Sequence, residues 1–418
     1  MKIKQIDSIP LKLDLIPDVA PHLYRSNHPG RIVLYRLHLD NGVVGYGEDI
    51  GAPTDTTAFI GQNAIAGLKQ IKHSGVQMAC YDAVGKALSV PAHILMGQQV
   101  RQYVPFAYWS IDLPPETWAA QTERAVSLGY QVYKFKCRPW WDPLEQIEQV
   151  AAVSPKGFKF WLDFNGHLRE TRQALPILQA LSEYDCVGGF ESPIPQRDAA
   201  GYEMLRQKID KPIAAHYGSG CCHVRSDPNY DRGVPGLTQI KRGLCDGFVL
   251  GGGDVEAIRK QAAVAEEAHI PFWLQTVGAG LRAMWVAHLA SVFIRGTLAH
   301  LAAHDLWQQD IVTPPKPTAG LMTVPDAPGL GAEVDEAAIE SLRADTPFEV
   351  PRHISTVIYP DGYRWHFATE QQRHEAYHFG DLLGFVPGIQ LTVRDDDGSK
   401  DFETLYNRCL AAPVFDTA

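Results

Sequence analysis

Residues 132–164, VYKFKCRPWWDPLEQIEQVAAVSPKGFKFWLDF, contain the pattern that decides the fold. A short strand-like run, Val132–Lys136, is followed by a helical stretch, Pro143–Val153, and then by a second strand-like run, Phe158–Phe164. A strand, a helix and a strand within about thirty residues form one βα unit. The stretch therefore predicts two parallel strands joined by a helix.

The same unit repeats between about residue 103 and about residue 300, at intervals of roughly 25 to 32 residues. The predicted strands are Val104–Trp109, Val132–Lys136, Phe158–Phe164, Val187–Glu191, Ile213–His216, Gly247–Leu250, Pro271–Gln275 and Thr297–His300. Eight such units favour a closed parallel barrel of the TIM type within the α/β class. A doubly wound open sheet is the alternative that this pattern leaves open.

Different patterns flank the repeating units. Residues 1–110 predict an α+β domain, in which the strand Ile32–Leu39 is followed by the hairpin signal Asp40-Asn41-Gly42. Residues 111–345 contain the barrel units. Residues 346–418, the C-terminal extension, are polar and aromatic and rich in histidine, and their role cannot be predicted from the pattern.

The composition excludes several classes of partner. The chain has 418 residues, is 45% hydrophobic and 21% charged, and has a formal net charge of −10. An acidic chain without a basic run is a poor ligand for nucleic acid. No stretch approaches about 18 consecutive apolar residues, so we expect no membrane span. The seven irregularly spaced cysteines are typical of reduced thiols, which predicts a cytoplasmic protein.

Two lysines mark the end of the second predicted barrel strand. In parallel barrels ligands bind at the C-terminal ends of the strands, so the last residues of each strand are candidates. Alternation along Val132–Lys136 places Lys134 and Lys136 on the same face. Neighbouring ammonium groups lower each other's pKa, which suits a lysine that acts as a base. A pair of solvated lysines is the alternative.

Acidic and imidazole side chains end the next three strands. Asp163 and Asn165 share a face of the third strand, Glu191 ends the fourth, and His216 ends the fifth. Neighbouring strands lie about 4.8 Å apart, so these side chains can converge on one ion. Two carboxylates, an imidazole and water would hold a divalent cation. Taken singly, Asp163 also suits a helix cap, and His216 also suits a core histidine.

Other candidates are less specific. His300 ends the eighth predicted strand and could supply an acid, although buried histidines are more often structural. Gln275 ends the seventh strand, and Arg25 in the N-terminal domain could pair with a substrate carboxylate. The cluster Cys221-Cys222-His223 could bind a soft metal, but its spacing matches no common zinc pattern.

Five segments between residue 1 and about residue 345 carry a family resemblance. They are DNGVVGYGE (40–48), YDAVGKAL (81–88), LMG (95–97), GLMTVP (320–325) and PGLG (328–331). Together they resemble the enolase superfamily, in its mandelate racemase and muconate lactonizing branch. The resemblance implies an α+β capping domain at the N-terminus over a modified (β/α) barrel.

The resemblance also implies a mechanism. Family members bind magnesium through three acidic residues of successive strands, and a base removes the α-proton of a carboxylate while the metal stabilises the enediolate. Lys134 and Lys136 match the Lys-x-Lys motif of the family. Asp163 and Glu191 match its first and second metal ligands, and Asn165 matches a residue beside the metal.

The match breaks at three strand ends. His216 stands where the family has a third acidic ligand, and Gly251 and Gln275 stand where an opposite-face base or a histidine is common. A neutral imidazole removes one negative charge, so the affinity for Mg²⁺ should fall and Mn²⁺ or another divalent transition metal should be relatively favoured. His216 could instead lie outside the metal shell, or act as the acid or base.

One-faced chemistry follows from these departures. The leading hypothesis is a lyase that dehydrates a hydroxy or sugar acid, with Lys136 as the base and with Lys134 lowering its pKa or contacting the carboxylate. His216, His300 or a lysine would be the acid. A racemase, epimerase or cycloisomerase is the second hypothesis, and a divergent barrel with an impaired metal site is the third. We expect a small carboxylate as the ligand and a homo-oligomer as the assembly.

Overall fold

A computed structural model describes residues 1–25, 31–220, 232–251, 253–344, 346 and 349–417. The N-terminal capping domain is an antiparallel sheet of three strands in the order β1-β2-β3, with helices against one face. Its strands are β1 (Ile3–Leu11), β2 (Ile32–Leu39) and β3 (Val44–Ile50). Its helices are α1 (Ala20–Leu23), α2 (Ala64–Gln70), α3 (Ser74–Leu88) and α4 (Ala92–Met96).

The predicted hairpin joins β2 to β3. Leu39 N donates a hydrogen bond to Val43 O at 2.9 Å, and Gly42 has a φ of +86°, which a glycine adopts without strain. Beyond the turn, Gly45 lets α3 approach β3 closely, because a Cβ there would collide with the backbone carbonyl of Ala79. The cap therefore depends on a turn and a close approach that the sequence signals.

The central domain is a curled parallel sheet in the order β5-β6-β7-β8-β9-β10-β11. After the short strand β4 (Tyr103–Pro105), its strands are β5 (Tyr108–Ile111), β6 (Val132–Lys136), β7 (Lys159–Asp163), β8 (Val187–Glu191), β9 (Ile213–His216), β10 (Gly247–Gly251) and β11 (Phe272–Gln275). Parallel bridges from His300 to Phe106 and from Leu301 to Gln275 join the two edges. The predicted TIM-type barrel with an α+β cap is confirmed.

Helices follow the barrel strands on the outside. They are α5 (Pro115–Ser127), α6 (Pro143–Val153), α7 (Thr171–Ser182), α8 (Ala199–Lys208), α9 (Gly236–Arg242), α10 (Val255–Glu267) and α11 (Gly280–Ser291). Among the described residues, no helix is both long and apolar enough to span a bilayer. The interior is packed: Trp161 and Trp273 lie 5.1 Å apart between ring centroids, and the cavity that borders them and Lys134 measures only about 10 Å³.

Two predicted strands were wrong in their bounds. The first, Val104–Trp109, is split, because β4 pairs antiparallel with β12 (Leu321–Thr323) and only β5 joins the barrel. Pro105 lacks an N–H group, and the chain changes partners directly after it. The eighth, Thr297–His300, is reduced to the two closing bridges, because the chain is still in a turn at Gly296.

After the barrel the chain first returns to the cap through α12 (Glu336–Leu342), where Lys12 N donates to Leu342 O at 2.8 Å. The C-terminal extension then forms an antiparallel sheet in the order β15-β13-β14-β16. Its elements are β13 (His353–Ile358), β14 (Arg364–Phe367), α13 (Glu370–Phe379), β15 (Gln390–Asp395), α14 (Lys400–Ala411) and β16 (Val414–Asp416). The sequence pattern had not revealed this sheet.

Glu48 on β3 connects the cap to the barrel. Its Oε1 accepts hydrogen bonds from Ala279 N at 2.6 Å and Arg282 N at 2.8 Å, at the start of α11. Burial raises the pKa of Glu48 to about 7, aided by the charge of Asp310 and opposed by Arg282. Burial also raises the pKa of Asp310 to about 6. Two buried acidic side chains thus accept hydrogen bonds at the N-terminus of one helix.

These raised pKa values predict a pH effect on stability. The folded protein holds protons that the unfolded chain has released between roughly pH 4 and 7, so this cluster loses stability as the pH rises through that window. Glu48→Gln keeps an oxygen acceptor and removes the charge. The difference in melting temperature between Glu48→Gln and the wild type should therefore be more positive at pH 8 than at pH 5. The exposed change Glu333→Gln is the control, and an equal difference at both pH values would contradict the prediction.

Candidate active site

Strand β6 places two lysines inside the barrel. Its alternate side chains Tyr133 and Phe135 pack outward, with ring centroids 5.5 and 4.4 Å from Trp118 of α5. Lys134 and Lys136 therefore point to the interior, where only 3% and 11% of their side-chain surfaces are exposed. The prediction that Lys134 and Lys136 share one face of this strand is thus confirmed.

Strands β7 and β8 add the carboxylates. In the parallel ladder Lys136 is paired with Asp163, and Asp163 is paired with Glu191. Directly after each strand the chain turns through a positive φ of 46°, at Asn165 and at Ser192. Such a φ is uncommon outside glycine and often occurs at functional sites. The turn lets Asn165 N donate a 2.8 Å hydrogen bond to Asp163 Oδ1.

The four charged side chains form one ion network. Lys134 Nζ lies 2.9 Å from Asp163 Oδ2 and 2.8 Å from Glu191 Oε2. It also donates a hydrogen bond to Gln275 Oε1 at 2.5 Å. Lys136 Nζ donates to Asp163 Oδ2 at 2.7 Å. The ammonium group of Lys134 thus lies between the two carboxylates, and that of Lys136 contacts only one of them.

This difference separates the two lysines electrostatically. Burial lowers the pKa of Lys134, but Asp163 and Glu191 raise it by more, so it lies above its usual value. For Lys136, burial is the largest cause of a lowered pKa, and the charge of Lys134 adds to it against the opposing carboxylates. Burial would raise the pKa of the Asp163 carboxyl, yet the two lysines hold it well below its usual range.

His216 is fixed at the end of β9 by two glutamines. Its N–H donates to Gln196 Oε1 at 2.9 Å, and its carbonyl accepts from Gln196 Nε2 at 2.9 Å and Gln239 Nε2 at 2.8 Å. Its ring Nε2 lies 3.2 Å from Glu191 Oε1. The structure therefore brings His216 to the carboxylates. The sequence had not indicated the two glutamines, which belong to loops and helices of the barrel.

Two predicted site residues lie elsewhere. His300 is fully buried, with its Nδ1 accepting from Leu274 N at 2.9 Å and its Nε2 3.2 Å from the Gly296 carbonyl. Burial lowers the pKa of His300 to about 3, so the ring is neutral. Arg25 forms two hydrogen bonds with Asp395 of β15, at 3.0 and 2.6 Å, and so joins the cap to the C-terminal extension.

The other predicted side chains lie near the lysines. Gln275 accepts from both Lys134 and Trp273 Nε1, the latter at 3.2 Å. Asn165 accepts from Arg138 Nη1 at 2.9 Å. Asn165 and Gln275 therefore flank the ion network, as their positions at strand ends had predicted. The cluster Cys221-Cys222-His223 lies outside the described residues.

The donor set can be tested for a divalent metal. Asp163 and Glu191 are both fully buried, and Glu191 Oε2 has no hydrogen bond of good geometry even though it lies 2.8 Å from Lys134 Nζ. Two such oxygens with a nearby imidazole are suitable ligands for a divalent cation. However, no three His, Cys, Asp or Glu side chains of the described chain are already arranged around a metal position. The donor chemistry fits a cation, while the present side-chain positions fit the lysine ammonium.

A barrel whose carboxylates and lysines meet at the ends of β6, β7 and β8 defines a class of protein. The sequence profile of the family described as Enolase C-terminal domain-like matches residues 117–224 and 239–338. The chain belongs to the enolase superfamily, in its mandelate racemase and muconate lactonizing branch. Enzymes of this superfamily bind a divalent metal, usually Mg²⁺.

Curated relatives include both lyases and isomerases. The chain is 25% identical over 391 residues to D-xylonate dehydratase of Haloferax volcanii, covering 80% of this chain and 90% of that protein. It is also 25% identical over 251 residues to N-succinyl-L-Arg/Lys racemase of Bacillus cereus, covering 52% of this chain and 66% of the relative. Similarity to these relatives therefore does not distinguish a lyase from an isomerase.

Solved structures agree on the fold. The muconate lactonizing enzyme of Pseudomonas putida superposes with a TM-score of 0.64 at 22% identity, covering 82% of this chain and 100% of that one. The share of this chain that has no counterpart there is about as long as the C-terminal extension.

Proposed function

We propose that the protein is a divalent-metal-dependent lyase that removes the α-proton of a small carboxylate and dehydrates a hydroxy or sugar acid to a keto acid. The observation that carries this proposal is the one-sided placement of the basic side chains. Lys134 and Lys136 both extend from β6, whereas the opposite strand ends carry Gly251 and Gln275. One base on one face suffices for a syn elimination, while racemisation needs a base on each face.

Each residue has a proposed role. Lys136 takes the α-proton as a neutral amine, because burial and the charge of Lys134 lower its pKa and it contacts only one carboxylate. Lys134 and Gln275 hold the substrate carboxylate, and Asn165 orients the nearby groups. The β-hydroxyl leaves as water with a proton from a lysine of β6, because His216 is assigned to the metal shell. His300 has no part in this proposal, because both ring nitrogens contact backbone groups.

The proposed metal ligands are Asp163, Glu191 and His216, and the ion is Mg²⁺ or a softer divalent cation such as Mn²⁺. When bound, the metal would neutralise negative charge that develops on the substrate carboxylate. Lys134 Nζ lies between the two carboxylates, so metal binding requires that this ammonium group move away from them. We therefore expect that a bound metal ion and the ion pairs of Lys134 with Asp163 and Glu191 exclude each other.

Changing the third ligand tests this shell. His216→Asp supplies the hard, charged oxygen that Mg²⁺ prefers, so we expect Mg²⁺ affinity to rise by about tenfold, as is common for changes in a ligand shell. The measurement is calorimetric titration of Mg²⁺ and Mn²⁺ without substrate. His269→Asp makes the same change on the exposed side of the barrel and should leave both affinities unaltered. Unchanged Mg²⁺ binding in His216→Asp would place His216 outside the shell.

The reaction class is tested in heavy water. The protein with Mn²⁺ is incubated with a panel of aldonic and aldaric acids, and keto acid is measured with semicarbazide while deuterium at the α-carbon is followed by NMR. Keto acid formation supports the lyase. The racemase of Bacillus cereus among the relatives makes an isomerase the second candidate. Deuterium at the α-carbon of recovered substrate, with inversion and without keto acid, would favour that candidate and overturn the lyase.

A further inference from the structure

The C-terminal extension covers part of the barrel mouth. Helix α13 lies over the loops that follow β5, β6 and β7. Arg373 of this helix lies 4.1 Å from the ring of Trp140, and the ring centroid of His374 lies 4.9 Å from the same indole. One turn later, the Tyr377 hydroxyl donates a hydrogen bond to the His167 carbonyl. The extension is therefore a wall of the mouth beside the ion network.

A buried cation of the barrel faces this wall. Only 7% of Arg138 is exposed, and its Nη1 donates to Asn165 Oδ1 at 2.9 Å. Its buried Nε has no acceptor, and no carboxylate of the described residues lies within 4 Å of its guanidinium. A buried charge without a counter-ion is costly. The buried guanidinium group of Arg138 would therefore be stabilised by a bound anion.

The extension supplies a second cation with a weak partner. Arg373 is 4% exposed, and its Nη2 lies 3.4 Å from Asp112 Oδ2, while its Nε has no acceptor. Asp112 Oδ1 already accepts from the indoles of Trp140 at 2.7 Å and Trp141 at 3.1 Å. Burial lowers the pKa of Arg373, Asp112 opposes this, and the charge of Arg138 lowers it further. The positive charges of the two arginines thus repel each other.

Both arginines belong to or contact one short loop, residues 138–141. Arg138 begins the loop and donates to Asn165, while Arg373 lies 4.1 Å from the ring of Trp140. Guanidinium groups bind carboxylate and phosphate oxygens through paired hydrogen bonds. We propose that Arg138 and Arg373 form a binding subsite for a second anionic group of the substrate, at the junction of the barrel mouth and the C-terminal extension. Arg138 links the subsite to the ion network through Asn165, whose N–H donates to Asp163.

This subsite narrows the substrate class. The inference rests on the proposed function, in which Lys134 and Gln275 hold the reacting carboxylate and Lys136 is the base. The substrate then carries a second carboxylate or a phosphate at its far end. A simple aldonic acid would leave Arg138 without an anion and Arg373 with only its contact to Asp112. An aldaric acid or a phosphorylated acid would neutralise them.

Ligands without stereocentres test the subsite independently of turnover. Binding of succinate, glutarate and adipate to the Mg²⁺-loaded protein is compared by calorimetry with butanoate, pentanoate and hexanoate. We expect at least one diacid to bind roughly tenfold more tightly than its monoacid, as for a charged hydrogen bond. 3-Phosphonopropanoate in the same titration distinguishes a phosphate-binding subsite from a carboxylate-binding one. Equal binding of every diacid and its monoacid, together with no gain for the phosphonate, would overturn the subsite.

Variants assign the preference to the arginines. Arg373→Gln should reduce the preference for the dianion to about twofold or less, with monoacid affinity unchanged. Arg394→Gln removes a charge from the same extension, where Arg394 pairs with Asp397 on the surface, and should keep the wild-type preference. A full preference in Arg373→Gln would exclude this residue. If that variant unfolds, Arg373→Lys keeps the charge without paired hydrogen bonds and should lose most of the preference.

The subsite and the proposed reaction can fail separately. Deuterium exchange at the α-carbon depends on the lysine base, whereas the diacid preference depends on the arginines. Exchange without any dianion preference would reject the subsite and keep the proposed function. Dianion preference without exchange, on the full panel of acids, would reject the proposed function and keep an anion-binding mouth.

Discussion

Replacing Lys136 by alanine should lower kcat for α-proton removal by about 10²- to 10⁴-fold, the range that a positioned general base contributes. The side chain extends into the barrel from β6 and contacts Asp163 Oδ2 at 2.7 Å. Asp163 keeps its 2.9 Å contact with Lys134 when Lys136 is removed, so the buried carboxylate stays paired and the fold should persist. The rate is measured as keto acid formation and as α-deuterium exchange on the best acid of the panel.

The control is a lysine at the start of the neighbouring strand β7, far from the ends of the strands where the carboxylates lie. Lys159 begins β7 on the exposed side, where its Nζ donates to the Asp185 carbonyl, and Lys159→Ala should retain the wild-type rate. Lys136→Arg keeps a positive charge but cannot act as a base near neutral pH, so it should be nearly as slow as the alanine variant. A kcat for Lys136→Ala within tenfold of the wild type would remove this residue as the base.

Replacing Trp118 by alanine should cost about 3 to 5 kcal/mol of unfolding free energy, the usual range for a buried tryptophan. Trp118 of α5 is fully buried, and its indole packs 4.4 Å from the ring of Phe135. Phe135 stands between the two lysines on β6. A cavity at this position therefore weakens the support of the strand on which both lysines depend. Denaturant titration of the variant and of the wild type gives the difference.

Trp118→Phe is the matched variant, because it keeps an aromatic ring against Phe135 and leaves a smaller cavity. We expect it to lose less than half of the stability that Trp118→Ala loses. A loss below about 1 kcal/mol in the alanine variant would show that β6 is held chiefly by other neighbours.

The repeating βα pattern was enough to predict the barrel, because each unit is a local signal that does not depend on distant contacts. Alternation along β6 correctly predicted which side chains point inward. The first and eighth strands were harder. Pro105 breaks a run of apolar residues that looks continuous, and the closing segment makes only single bridges at His300 and Leu301. Short pairings of this kind have no period for a sequence to display.

The candidate site divides in the same way. Lys134, Asp163 and Glu191 end consecutive strands, so strand order alone predicted that they would lie together. His300 also stands near a strand end, but its ring is held by backbone groups, a detail that no spacing rule reveals. Arg25 found a partner in Asp395, far along the chain. Side-chain pairs between residues far apart in the chain are the part that a single sequence does not disclose.

The pairing of Arg373 with Asp112 also has a consequence in time. The two residues are separated by 261 positions in the chain. At the usual rates of protein synthesis, Asp112 leaves the ribosome roughly 13 to 52 s before Arg373 does. The barrel segments are complete in the chain for only about the last quarter of that interval, since β11 and the closing bridges at His300 and Leu301 precede the C-terminal extension. The nascent protein therefore passes through a stage in which the barrel can already fold while one wall of its mouth has not yet been made.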